Sequence, residues 1–216
     1  MSTPSENTVA FDYVLDLLMS KKIMPGDKIS DIKLAKEIGC SRSPVRDALK
    51  QLENCGLVDI HPNRYMQVTV YTPEMISEVG SIRLYLEQLA GKLALMLGNR
   101  MDFQYLRQLA ERCQEELLNN NFTKRLDLDC EFHMALSRIS GHKLLLKFQK
   151  EMYLRVKFII LHHPYLISSK EKHTQQHFDI VDALEAGDKE QLERAIQKHI
   201  VSFYGDYTTL PESIFL

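Results

Sequence analysis

No apolar run in this 216-residue chain approaches the ~20 residues that a membrane-spanning helix requires. A helical membrane protein is thereby excluded. Charge of one sign is lacking too: 27 Lys and Arg stand against 29 Asp and Glu, for a net charge of −2. Bulk charge therefore advertises no polyanionic partner, and any contact with nucleic acid has to come from a local patch. Cysteine is sparse. Cys40, Cys55, Cys113 and Cys130 form no C-x-x-C pair and no framework of spacings, so a disulfide scaffold is excluded. They read as reduced thiols in a cytoplasmic protein. Met1 to Asn7 lacks the basic start and apolar stretch of a secretory signal, and no internal repeat or low-complexity tract is visible. What remains, 44% hydrophobic and 26% charged residues, is an ordinary globular composition, long enough for two small domains.

Between residues 8 and 70 the pattern is a helix-turn-helix followed by a wing. Thr8–Ser20 carries Val9, Phe11, Val14, Leu17 and Leu18 at a helical period, and Pro25-Gly26-Asp27 then breaks the chain. Ser30 is placed to cap a short helix, Asp31–Ile38, with Ile32, Leu34, Ala35 and Ile38 expected inward and Gly39 as its left-handed stop. A second helix is expected from Ser43 as cap, with Pro44 at its first position, to about Asn54, ended by Gly56. Val45, Ala48, Leu49 and Leu52 form its inner stripe, leaving Arg46, Asp47, Lys50 and Gln51 outward. Arg42, Ser43 and Arg46 thus crowd the N-terminal end of a recognition helix, the part that reaches base edges. Arginine there can fork onto guanine O6 and N7, while serine and the helix N-terminus suit a phosphate. Leu57–Ile60 and Tyr65–Val70 are rich in strand formers and flank His61-Pro62-Asn63-Arg64, a hairpin with Arg64 near its tip. At this point a small helical domain with merely solvated arginines stays open as the alternative.

Pro25-Gly26-Asp27-Lys28-Ile29, Leu34-Ala35, Ile38 through Leu49, Leu52 and Gly56-Leu57-Val58 together resemble the winged helix of GntR-family bacterial transcription regulators. The resemblance covers nearly all of residues 8–70. It implies DNA contacts from Arg42, Ser43 and Arg46 and from the wing tip around Asn63 and Arg64; Lys50, outward on the same helix, is expected to join them. Two departures bear on the operator sequence: Ile32 stands where some members place an arginine, and Tyr65 where a wing glycine is common.

From Thr72-Pro73 onward almost no alternation of period two is present, and six amphipathic segments predict an all-helical bundle over 73–207. They run from about 75 to 97, 103 to 118, 126 to 139, 144 to 161, 169 to 185 and 189 to 207. Ile76, Val79, Ile82, Leu84, Leu86 and Leu89 are expected on the core side of the first, and the tail from Thr208 is expected to be peripheral. Asp129 and His133, four apart on the third, point from one face. Alone they are a solvated pair or half of a metal site. His177 lies ten residues before Gly187 and His199 eleven after Asp188, so on an antiparallel hairpin both sit ~15 Å up their helices, level with each other. Together the four can share an ion, and one carboxylate with neutral imidazoles suits zinc, nickel, manganese or iron, with open positions for water or a small molecule. His177 as a plain helix-surface residue stays open here. His173 reads as a solvated face, with a supporting role as the alternative. Cys130 is turned ~100° from Asp129 and is left out.

Asp129-x-x-Phe132-His133, Ser140-Gly141-His142, His177-x-x-Ile180-Val181-x-Ala183-Leu184-x-x-Gly187-Asp188 and His199-Ile200 resemble the FadR-type ligand-binding (FCD) domain. That resemblance spans roughly 73–207. It implies a divalent metal on Asp129, His133, His177 and His199, zinc first, and a small organic or sugar acid whose carboxylate takes an open coordination position. It also implies that Arg83, in Ser81-Ile82-Arg83-Leu84-x-Leu86-Glu87, points into the cavity and pairs with that carboxylate, with a surface salt bridge to Glu87 as the alternative. The expected protein is mainly α. It is a cytoplasmic, non-enzymatic regulator that grips a pseudo-palindromic double-stranded DNA operator as a homodimer, with no membrane partner. A sensor of the metal alone and a metal-dependent hydrolase are the rival readings.

Overall fold

In the computed structural model, residues 4–62, 64–163 and 169–204 are described, those at 203 and 204 by their backbone alone. Contacts divide the chain into two compact units on either side of Tyr71 and Thr72.

The first unit holds α1 (Glu6–Met19), β1 (Lys28–Ile29), α2 (Asp31–Ile38), α3 (Arg42–Asn54), β2 (Val58–His61) and β3 (Tyr65–Val68). Helix α1 lies against α3, and its Ala10, Val14 and Leu18 are buried with Leu34 of α2 and Val45, Ala48, Leu49 and Leu52 of α3. The Ser30 hydroxyl accepts from the Lys33 amide, and Gly39 ends α2 at φ 79°, as the residue types dictate. Two expectations are corrected. Ile32 is 61% exposed, while its neighbour Asp31 is buried. Asp31 turns inward to meet Arg42 and Arg46, and one residue on, ~100° round the helix, Ile32 has to face out. Helix α3 begins at Arg42, with Ser41 and not Ser43 at its cap position, so Pro44 stands in the first turn, where amides lack intrahelical partners anyway. The wing is an antiparallel sheet in the order β1-β3-β2, with Ile60 opposite Met66 and His61 opposite Tyr65. Its third member, β1, pairs Ile29 with Met66 and was not anticipated. Asn63 and the tail from Thr208 lie outside the described residues.

The second unit comprises α4 (Pro73–Leu97), α5 (Arg100–Leu118), α6 (Phe122–Ile139), α7 (Lys143–His162), α8 (Lys170–Ala186) and α9 (Lys189–Tyr204). Thr72 caps α4 with Pro in its first turn, and Asn99 with Asp102 closes a capping box on α5. Gly187, at φ 69°, turns α8 back so that α9 packs along it. Helix α5 lies against α6 and α8, and α4 against α9, α6 and α7. Leu84, Leu106, Leu109, Leu126, Phe132, Leu136, Val156, Ile180, Leu192 and Ile196 fill the interior. Helix α6 starts four residues before its expected Leu126, capped by Asn121. On α4, Ile82 (56% exposed) and Leu89 (42%) face outward, contrary to expectation, because Arg83 and Glu87 take the inner face.

Candidate metal centre and DNA-binding surface

Asp129 and His133 on α6, His177 on α8 and His199 on α9 converge inside the helical unit. Each offers a ligand atom, all of these lie within 4.8 Å of one another, and all four residues are buried. The geometry is fixed by ring contacts: Phe132 stacks on His177 at 4.3 Å, and the His133 and His199 Nε2 atoms stand 3.0 Å apart. Around them lies a polar shell that the sequence did not announce. His133 Nδ1 is 3.0 Å from Glu87 Oε2, while Gln149 Nε2 donates to Glu87 Oε1 at 3.0 Å and the Tyr153 hydroxyl donates to the same oxygen. Arg83 Nε donates to the Tyr153 oxygen at 3.2 Å. Arg83 is fully buried, so the surface salt-bridge alternative for it falls. His173 is also buried, 2% exposed, with Nε2 3.2 Å from Asp129 Oδ1, and is not on a solvated face.

The donors have the states that a cation needs. Burial works against the Asp129 charge, but the His173 and His177 rings beside it outweigh that and hold the carboxyl well below its usual range. Burial lowers His177 to about 4 and holds His199 well below its ordinary value, so at neutral pH both rings are neutral. His133 Nδ1 stands 3.0 Å from Glu87 Oε2, and in the tautomer that donates across this contact Nε2 is the lone-pair nitrogen, the arrangement of a carboxylate–histidine–metal triad. Burial alone would raise the Glu87 carboxyl, yet His133 foremost, with Arg83 and the Tyr153 hydroxyl behind it, keeps it below its ordinary value. Asp129 Oδ2, His177 Nδ1 and His199 Nδ1 are buried without a partner among the described residues, while Asp129 Oδ1 meets only the His173 and His177 rings, at 3.2 and 3.3 Å and without hydrogen-bond geometry. Buried polar atoms are rarely left this way. A cation at the centre would satisfy several at once, so the residues present fit a metal.

In the first unit, Asp31 collects two arginines. Its Oδ2 accepts from Arg42 Nη2 at 2.9 Å and lies 3.2 Å from Arg46 Nε, while both arginine side chains remain more than half exposed. The carboxylate aims two forks from one end of α3. The Ser41 side chain makes no capping bond there, and Ser43 and Lys50 are exposed on the same helix. A cleft of about 380 Å³ separates Arg46 from the wing residues His61, Pro62, Arg64 and Tyr65. Sequence reasoning missed Asp31. The four-residue steps from Arg83 to Glu87, Gln149 to Tyr153 and His173 to His177 were the available signal for the buried shell.

A winged helix-turn-helix with clustered arginines, followed by a helical unit enclosing an aspartate and three histidines, defines the class of two-part DNA-binding regulators. Residues 7–68 match the bacterial regulatory proteins of the gntR family, and residues 78–202 match the FCD domain. The chain belongs to the GntR family of bacterial transcription regulators, in the group whose ligand-binding half is an FCD domain, and these are regulators and not enzymes. It is 26% identical over 181 residues to the HTH-type transcriptional repressor RspR of Escherichia coli, covering 82% of this chain and 78% of that protein. It is 28% identical over 134 residues to the HTH-type transcriptional regulator YdhC of Bacillus subtilis, a match that spans 62% of this chain and 60% of YdhC. The fold also matches the structure of E. coli McbR/YncC, with TM-score 0.77 at 22% identity, covering 95% of this chain and 100% of that one. No described helix is long and apolar enough to cross a membrane.

Proposed function

We propose that this regulator responds to a small organic or sugar acid that binds at a divalent metal, zinc first, held by Asp129, His133, His177 and His199. The observation that carries the reading is the convergence of four buried donor residues on one point, with Asp129 Oδ2 left without a hydrogen-bond partner among the described residues. When bound, the metal supplies open coordination positions that accept a carboxylate. Asp129 and the three imidazoles hold the ion, Glu87 orients His133, and Arg83, Gln149 and Tyr153 form the polar wall toward which a ligand carboxylate would be drawn. Arg83 matches that group bidentately.

Arg42, Ser43, Arg46, Lys50, Asn63 and Arg64 read the operator. A homodimer places two such surfaces on a pseudo-palindrome, because one recognition helix covers too few bases for a useful specificity ratio. The outward apolar residues Ile82 and Leu89 of α4 and Phe148 of α7 support a partner copy on the helical unit. Effector binding shifts the operator-competent arrangement by about 1–3 kcal/mol of coupling. One observation favours a second reading: none of the four donors is more than 1% exposed, so the metal alone can be the signal.

Metal analysis and thermal-shift screening of organic and sugar acids, on metal-loaded and metal-stripped protein, separate the two. Stabilisation by an acid only in the loaded form supports the effector reading; metal-dependent operator release with no acid response supports the metal sensor. Arg46→Ala is expected to abolish operator binding while ligand uptake persists, and undiminished operator affinity in that variant would overturn the DNA assignment.

A further inference from the structure

Arg125 stands one helical turn before Asp129 on α6, is 1% exposed, and has no hydrogen-bond partner among the described residues for any of its three guanidinium nitrogens. Arginine cannot shed its charge, so burial without a counter-charge is among the most unfavourable arrangements a fold can hold. What the chain supplies is an aromatic face: the Arg125 Cζ lies 5.6 Å from the Phe122 ring centroid, and Lys170 Nζ lies 5.3 Å from the same centroid. Arg125, Lys170, Phe122, Asn120, Leu117 and Glu116 line a cavity of about 50 Å³, room for three or four water-sized groups, the size of one carboxylate or phosphate. The lining's single carboxylate, Glu116, is already paired with Lys124. Asp129, one turn on, faces His173 and His177. Lys170 is the first residue of the 17-residue helix α8, whose N-terminal dipole adds the same sign.

We infer that this cavity is a second anion site, built to take one small oxyanion, a carboxylate or a phosphate group, on the Arg125 fork with Lys170 closing over it. The inference does not rest on the metal reading, because the buried guanidinium lacks a hydrogen-bonding acceptor among the described residues whether or not a metal is present. It does bear on the metal donors. The site joins the start of α6 to the start of α8, one turn from Asp129 and two from His177, so occupancy braces two of the four donors from outside their own cluster.

The test is thermal unfolding of the full-length, metal-stripped protein in sodium chloride, against inorganic phosphate, acetate and citrate at matched ionic strength. At least one of these anions is expected to raise the melting temperature by several degrees with saturation, and which one does so identifies the oxyanion. Arg125→Met is expected to melt no lower than the parent in chloride, because it removes an uncompensated charge, and to lose the anion response. Lys170→Gln, at an exposed position, is expected to leave the chloride melt unchanged and to raise the half-saturating anion concentration three- to tenfold. No anion response beyond chloride, a response that survives in Arg125→Met, or, should that variant not fold, an unchanged midpoint in Lys170→Gln would overturn the inference.

Discussion

Glu87→Gln probes the buried shell with a change of almost no volume. Glu87 now meets three donors: His133 Nδ1 on Oε2, and Gln149 Nε2 and the Tyr153 hydroxyl on Oε1. Glutamine offers one acceptor oxygen and an amide group that only donates. Either the amide faces His133, opposing its Nδ1–H, or it faces Gln149 and Tyr153; one side must lose its bond in either orientation. The substitution also removes the negative charge next to fully buried Arg83. Arg83 meets Glu87 through the Tyr153 hydroxyl and by charge, and leaving a buried charge without its counter-charge costs about 3–5 kcal/mol. For a chain of this size each kcal/mol moves the midpoint by roughly 2–4 °C, so metal-free Glu87→Gln is expected to melt roughly 6–20 °C below the parent. A second readout isolates the role of His133. If its ring faces Glu87 with the amide side, Nε2 is no longer held as the lone-pair nitrogen, and zinc affinity, measured by chelator competition, is expected to fall about 10–100-fold. A melt within about 2 °C of the parent together with zinc affinity within about twofold would refute the account of Glu87 as the residue that both balances Arg83 and orients His133.

Asp31→Asn is expected to release Arg42 and Arg46 from a common anchor. Selectivity for an operator chosen from random duplexes, measured against a scrambled duplex by anisotropy, should fall about tenfold as specific binding weakens and phosphate binding gains from the lost negative charge; an unchanged ratio removes Asp31 from DNA recognition. The metal-free protein is expected to weaken as pH falls from about 6.5 to about 4. The unfolded chain takes up protons on histidine near the ordinary value, whereas buried His177 does so only near 4, so the unfolded state binds more protons across that window. His177 alone contributes on the order of 3 kcal/mol to the loss. Chemical denaturation midpoints of metal-free protein, flat between pH 7 and 4, would contradict the burial of this ring in its neutral form.

The parts of the fold that read directly from residues are those with local chemistry at their ends. Ser30 and Gly39 bound α2, Thr72 with Pro73 starts α4, and Gly187 turns α8 into α9, because a cap or a positive φ is decided within a few residues. Strand β1 carries no such signal. Two residues, Lys28 and Ile29, have no period, and only β3 passing alongside makes them a strand. The start of α3 was ambiguous for a related reason: Ser41 and Ser43 bracket Arg42, and proline fits anywhere in a first turn whose amides lack partners.

Inward polar residues defeat hydrophobic periodicity for a deeper reason. A rule that sends apolar side chains in and charged ones out misplaces Ile32, because Asp31 is held inward by two arginines, and misplaces Ile82 and Leu89, because Arg83 and Glu87 occupy the inner face of α4. The same spacing recurs around the donor cluster: Arg83 with Glu87, Asp129 with His133, Gln149 with Tyr153, and His173 with His177 all stand four apart and are all buried. On a single helix such a pair is indistinguishable from a solvent-facing one, since i and i+4 meet on any face. What distinguishes them is company. Charged groups with no water can be tolerated only where they answer one another, so a pair on α6 is meaningful once α4, α7 and α8 each carry a pair of their own facing it. The level heights of His177 and His199 made part of that convergence countable from the chain, which is why the four donors were legible and Glu87, Gln149 and Tyr153 were not: no turn of known geometry places α7 level with α4, and their meeting is a product of packing alone.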